Sequence, residues 1–139
     1  MRMEALAEAR RWIGTPYRHQ ASRIGAGCDC LGLVRGIWRA LYGAEPQVTP
    51  PYEAVARDAD HRLRAALDRW LIEIPCGEAQ PGDVLLFRWN VAEPARHCGL
   101  MSTDSRFIHA YWRRAVCETA LTAWWRCRLA AAYSFPESD

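Results

Sequence analysis

At Pro81-Gly82-Asp83 the hydrophobic rhythm of this chain changes, and that change restricts the folds open to it. Upstream, apolar residues recur at helical spacing; downstream, short apolar and β-favouring runs follow one another between turn-like segments. The spacing predicts strands over 84–89, 98–102, 106–112, 115–119 and 127–135, with Thr103-Asp104-Ser105 as one of the turns. Helices first and strands afterwards imply an α+β fold with a mostly antiparallel sheet.

The helical part has its own punctuation. Leu6, Ala9 and Ile13 predict a helix over 3–13, stopped by Gly14 and Pro16. Residues 15–27 carry Pro16, Gly25 and Gly27 without an apolar period and read as a loop. Asp29 is a candidate N-cap for a second helix over 30–42, with Leu33, Val34, Ile37, Trp38 and Leu41 on one face and Gly43 at its end. Three prolines make 44–52 an extended connection, and Leu63, Ala66, Leu67, Trp70 and Leu71 predict a third helix over 59–71.

A chain of 139 residues, 50% hydrophobic and 24% charged, can bury one core, so residues 1–139 are expected to form a single domain without repeat or linker. All 18 basic residues are arginines, scattered against 16 acidic ones, which argues against nucleic acid as a partner while tolerating an anionic polymer. The first ten residues lack the apolar run of a secretory signal, and no stretch suggests membrane insertion. Synthesis in the cytoplasm without a signal peptide is therefore expected. In that setting the six cysteines read as free thiols rather than as three bridges.

Three residues suggest chemistry. Cys30 follows the proposed cap, at the first turn of a helix, where unpaired amides and the helix dipole favour a thiolate. His97 and His109 lie twelve positions apart with a turn midway, so a hairpin would bring them together. One ring could then act as base toward Cys30 while the other fixes its tautomer. Each feature also has a structural reading, as a packed cysteine or as ordinary hydrogen-bonded histidines.

The segment Gly27-Cys28-Asp29-Cys30-Leu31-Gly32-Leu33-Val34 resembles the Asp-Cys-Ser-Gly-Leu-Val signature around the nucleophile of the NlpC/P60 family, with Leu31 in place of the usual serine. Trp12-Ile13-Gly14-Thr15-Pro16-Tyr17 resembles that family's approach to the active site, and Gln80 to Phe87 the first strand of its sheet. His97-Cys98-Gly99-Leu100 is similar to the block carrying the base, and Arg106-Phe107-Ile108-His109-Ala110 to the strand carrying the third polar residue. The resemblance spans about residues 9–135. It implies a papain-like fold with the nucleophile at a helix N-terminus packed on the sheet.

It also implies a cysteine peptidase that hydrolyses peptidoglycan stem peptides, typically between D-glutamate, through its γ-carboxyl, and a diamino acid. Cys30 would be the nucleophile, His97 the base, His109 its orienting partner and Tyr17 an oxyanion donor. Asp29 and His19 are expected to contact substrate, and no cofactor is called for. The string from Cys28 to Trp38 is similar to a subgroup found as cell-wall peptidases in phage tails and gene transfer agents. Tail or baseplate proteins are then the expected partners, and a particle tail acting on the wall in the periplasm the expected setting.

Alternatives stay open at this level. A tail protein with this domain could be a catalytically idle plug or hub, and amidases or acyltransferases share the Cys/His pair. Zinc is disfavoured: Cys28 and Cys30 are too close for a structural zinc pair, and the adjacent His97 and Cys98 should point to opposite strand faces. A Cys28–Cys30 bridge would be strained, so Cys28 is expected to pack against the sheet. The large aromatics, including Trp112, Trp124 and Trp125, are expected to be mostly core.

Overall fold

The computed structural model describes residues 1–45 and 59–137, with side chains from residue 62 in the second segment. Most of the proline-bearing connection expected over 44–52 lies outside the described residues.

Helix α1 (Arg2–Arg11) forms as expected, but the face it buries is Ala5 and Ala9, continued by Trp12, rather than Leu6, Ala9 and Ile13. Ile13 is exposed. The reason is close helix packing. Two alanines let α1 approach, and the Trp12 ring lies against Gly36 of the second helix, where a Cβ would collide with it. Glu8 accepts the indole N–H at 2.9 Å, which fixes the ring.

Helix α2 (Cys30–Tyr42) has the expected bounds at both ends. The Asp29 carboxylate accepts from the Gly32 amide at 2.7 Å, and Gly43 closes the helix at φ 90° with its N–H on the Arg39 carbonyl. Leu31, Leu33, Val34 and Ile37 are buried, each such side chain contributing roughly 1.5–3 kcal/mol. Helix α3 (Ala59–Trp70) forms within the expected 59–71.

Between α1 and α2 the expected loop contains a small hairpin, β1 (Ser22–Arg23) against β2 (Gly27–Cys28). Residues 14–17 run beside it, hydrogen-bonded to residues 114–116 on one side and to Cys28 on the other. The main sheet comprises β3 (Ile72–Ile74), β4 (Val84–Phe87), β5 (His97–Thr103), β6 (Arg106–Ala110), β7 (Val116–Ala120) and β8 (Leu129–Ser134). Its order is β3-β8-β4-β5-β6-β7, and every pairing is antiparallel. Sequence reading misses β3, an edge strand with little burial, and α4 (Ala123–Arg126), a single turn before β8.

The strands bury both faces. Val84, Leu86, Cys98, Leu100, Ile108, Ala110 and Tyr133 join the helices in one core, while Leu85, Phe87, Met101, Phe107 and Ala132 form a second core with Leu121. Trp125 of α4 packs on that second core. Trp12 and Trp70 are buried, but Trp112 and Trp124 are 62% and 48% exposed, so the expectation that the large aromatics are core fails for these two. Among the described residues no helix is long and apolar enough to cross a membrane.

Candidate active site

Asp29 does more than start α2. One carboxylate oxygen caps Gly32 and the other accepts from the Gln20 amide at 2.7 Å, so the loop before the nucleophile and the helix after it hang from one buried side chain. Burial, and then the charge of Cys30, push its carboxyl up to about 6, against the two amides and the charge of His19. Gly32 completes the local frame, because a Cβ there would strike the Ala21 carbonyl. Leu31, in place of serine, is buried in the helix-side core.

Cys30 is half-buried at the first position of α2. Its thiol is held well below its ordinary value, first by a hydrogen bond with the Cys98 side chain and then by the hydrogen bond and charge of His97, which together outweigh burial. His97 and Cys98 do belong to opposite faces of β5, since Cys98 packs in the helix-side core while the His97 ring lies among Phe87, Trp89 and Trp125. Both reach one thiol because α2 begins over the start of β5. The Cys98 thiol also meets the Cys30 carbonyl at 3.4 Å.

The β5–β6 hairpin brings the two histidines together. Nε2 of His97 lies 2.8 Å from Nδ1 of His109, and Nε2 of His109 lies 3.1 Å from the Thr119 hydroxyl on β7. Continuing the Leu100–Ile108 register by one pair sets Gly99 opposite His109, where a Cβ would meet the His109 Cβ and the Phe107 ring at 2.9 Å. Glycine there is what lets the hairpin close over the pair.

With Nε2 of His97 taken by His109, Nδ1 is the nitrogen left for Cys30. If His97 is to accept the thiol proton at Nδ1, its own proton sits on Nε2 and is donated to Nδ1 of His109. His109 must then be neutral and carry its proton on Nε2, donating to Thr119. Burial, helped by the charge of His97, lowers the His109 pKa to about 3, so the neutral form is the one present at ordinary pH.

Aromatic rings wall this pair. Trp89 stacks on His97 with centroids 5.5 Å apart, Trp125 lies 5.3 Å from His109, and Phe107 lies 4.2 Å from it. Excluding water there strengthens the imidazole–imidazole bond.

Tyr17 joins the site as a half-buried phenol whose pKa is raised by burial and by the charges of Cys30, Asp29 and Cys28, so it stays protonated as a donor. His19 is exposed, and its charge is felt by Asp29. Cys28 is fully buried in the helix-side core rather than lying in a loop, and burial first, then Asp29 and Cys30, push its thiol up to about 12. Among the described residues no group of three or more His, Cys, Asp or Glu side chains is placed to hold a metal ion.

Residues 14–133 match the family model described as NlpC/P60. The chain belongs to the NlpC/P60 family. It is 25% identical over 115 residues to a protein of Escherichia coli K12 named "Probable endopeptidase NlpC", an alignment covering 82% of this chain. The chain spans only 64% of that relative's length. Among solved structures, an NlpC/P60 family protein from Bacillus cereus superposes with a TM-score of 0.71 at 20% identity, over 97% of this chain and 40% of that one. The NlpC/P60 domain of the peptidoglycan hydrolase SagA superposes with a TM-score of 0.67 at 22% identity, over 97% of this chain and 99% of that domain. These likenesses establish the papain-like α+β fold.

Sequence reading misses three contributors to this candidate site. Thr119 can be found only from the β6–β7 register, Cys98 looks like a zinc candidate or a core residue, and Trp125 sits on a one-turn helix with no periodic signal.

Proposed function

We propose that this chain is a cysteine peptidase that hydrolyses the stem peptides of peptidoglycan, with Cys30, His97 and His109 as its catalytic set. The carrying observation is the low-pKa Cys30 thiol against His97, whose Nε2 is held 2.8 Å from a neutral His109. The name of one relative, "Probable endopeptidase NlpC", supports peptide-bond hydrolysis, and that of the peptidoglycan hydrolase SagA supports the substrate.

In the mechanism His97 takes the Cys30 proton at Nδ1 and the thiolate attacks the amide carbonyl. The oxyanion is met by the Cys30 amide, one of the unpaired N–H groups of the first turn, and by the Tyr17 hydroxyl. His97 then protonates the leaving amine, and water, activated by the same ring, hydrolyses the thioester. The exposed His19 lines the nucleophile side and contacts substrate, whereas Asp29, expected to do the same, is buried with both carboxylate oxygens on backbone amides and positions Cys30 instead. The bond cut is the one between the γ-carboxyl of D-glutamate and the diamino acid.

The setting we propose is a phage-like tail acting on the wall, a reading supported by the likeness of the string from Cys28 to Trp38 to tail cell-wall peptidases. The exposed Trp112 and Trp124 offer surface to tail or baseplate partners. These exposed rings also fit the second reading, a structural hub with an idle site. Incubation with purified peptidoglycan and mass spectrometry of the soluble products separates the two. Release of fragments ending at the γ-glutamyl bond, absent in Cys30→Ala, supports the peptidase; equal products from both proteins overturn it.

A further inference from the structure

One side chain of the site takes no chemical step in the peptidase cycle. Cys98 is fully buried, its thiol donates to the Cys30 carbonyl at 3.4 Å, and the neighbouring Cys30 thiol is the main cause that raises it well above its ordinary value. Hydrolysis needs a nucleophile, a base, an orienting group and oxyanion donors, none of which is a second thiol. The other cysteines are placed differently. Cys28 feels Cys30 as a charge without a hydrogen bond to it, Cys117 lies on β7, and Cys76 and Cys127 are exposed.

Cys30 combines the two properties that direct oxidation to one thiol, thiolate character and partial exposure. A sulfenic acid formed there would have the Cys98 thiol as its neighbour. We propose that Cys30 and Cys98 form an oxidation site, in which a hydroperoxide oxidises Cys30 and Cys98 captures the product as a reversible disulfide. The proposal rests on Cys30 being the reactive thiol of the peptidase reading.

The steps balance. The Cys30 thiolate attacks the peroxide O–O bond, giving Cys30 sulfenic acid and hydroxide, or an alkoxide from an organic peroxide. The Cys98 sulfur then attacks the Cys30 sulfur, the S–O bond breaks, and the departing hydroxide takes the Cys98 proton as water. Two electrons leave the pair of thiols and reduce the peroxide. Cys98 is held protonated, well above its ordinary value, mainly through its hydrogen bond with Cys30, so that restraint lapses when Cys30 loses its negative charge. The disulfide joins residues 68 positions apart, ties the start of α2 to β5 and removes the nucleophile until a reductant restores it.

The test uses the full chain with hydrogen peroxide as oxidant, followed by alkylation, unreduced digestion and mass spectrometry. The expected result is one cross-linked species joining the Cys30 and Cys98 peptides and reversed by dithiothreitol. Cys98→Ser, and Cys98→Ala in case the buried hydroxyl disturbs folding, should instead carry Cys30 on to sulfinic acid. Dithiothreitol should then recover roughly tenfold less reactive Cys30 thiol in these variants than in the parent. A bridge to Cys28, or sulfinic acid accumulating as fast in the parent as in the variants, overturns the proposal. Pulse alkylation by iodoacetamide separates the two readings: an unreactive Cys30 sinks both, whereas a bridge in a protein that releases no stem peptide sinks only the peptidase reading.

Discussion

The two halves of the proposed active site are built by different means. The nucleophile side is contiguous: Asp29 caps the helix that Cys30 begins, and Gly32 leaves room for the loop that the same Asp29 holds through Gln20. The base side is assembled across three strands, His97 on β5, His109 on β6 and Thr119 on β7, and exists only because those strands pair in one register. A local half tolerates change elsewhere in the sheet. A half built by register fails all at once, since a slip of one residue turns each side chain to the other face.

The comparison can be broken from either side. On the nucleophile side, Cys30→Ala should lower stem-peptide release by on the order of a thousandfold or more while circular dichroism and thermal unfolding stay near those of the parent. On the base side, His97→Gln should cost about a thousandfold in kcat/KM, and its Cys30 should alkylate more slowly near neutral pH because the thiolate has lost a partner. Retained fast alkylation in that variant would show the nucleophile half to be self-sufficient.

Gly99→Ala attacks the register half without removing a functional group. Its Cβ meets the Ile108 carbonyl, the His109 Cβ and the Phe107 ring, so we expect a stability loss of about 1–3 kcal/mol in urea. Activity should fall by roughly a hundredfold as His109 is displaced. A wild-type rate in Gly99→Ala would mean that the pair does not depend on the close approach.

His109 supplies a pH test. Its ordinary value of 6.5 falls to about 3 in the fold, so between these values the unfolded chain binds a proton that the native one does not. Stability from this group is therefore complete above 6.5 and is lost as pH falls toward 3. Urea unfolding of the parent and His109→Gln across that range should show the parent losing about 1–2 kcal/mol more on acidification. Parallel curves would mean that His109 is not held neutral.

The smallest effect is expected at the end of the relay. Thr119→Val keeps the shape of the side chain but removes the acceptor for His109 Nε2, and kcat should drop roughly fivefold, with recovery in Thr119→Ser. A change in KM alone would place Thr119 outside the relay.

Much of this was readable from local chemistry. The Asp29 cap, the Cys30 start and the Gly43 stop of α2 follow from residues within one turn of each boundary, as do most strand positions after Asp83. The buried face of α1 was not, because an alanine stripe becomes a packing face only when another helix comes close enough to reward it. The two cores had the same obstacle: β4, Val-Leu-Leu-Phe, is buried on both sides and shows no alternation to assign.

By itself, then, the sequence determined an α+β chain with a thiol at a capped helix start and two histidines a hairpin apart, because caps, periods and turns act over a few residues. Only the tertiary structure decided that Thr119 ends the histidine relay and that Trp89 and Trp125 wall it. It alone also decided that Cys98, whose thiol meets the Cys30 carbonyl, lies against the proposed nucleophile. Those contacts join residues far apart in the chain, and strand register and helix placement, not local spacing, bring them within reach.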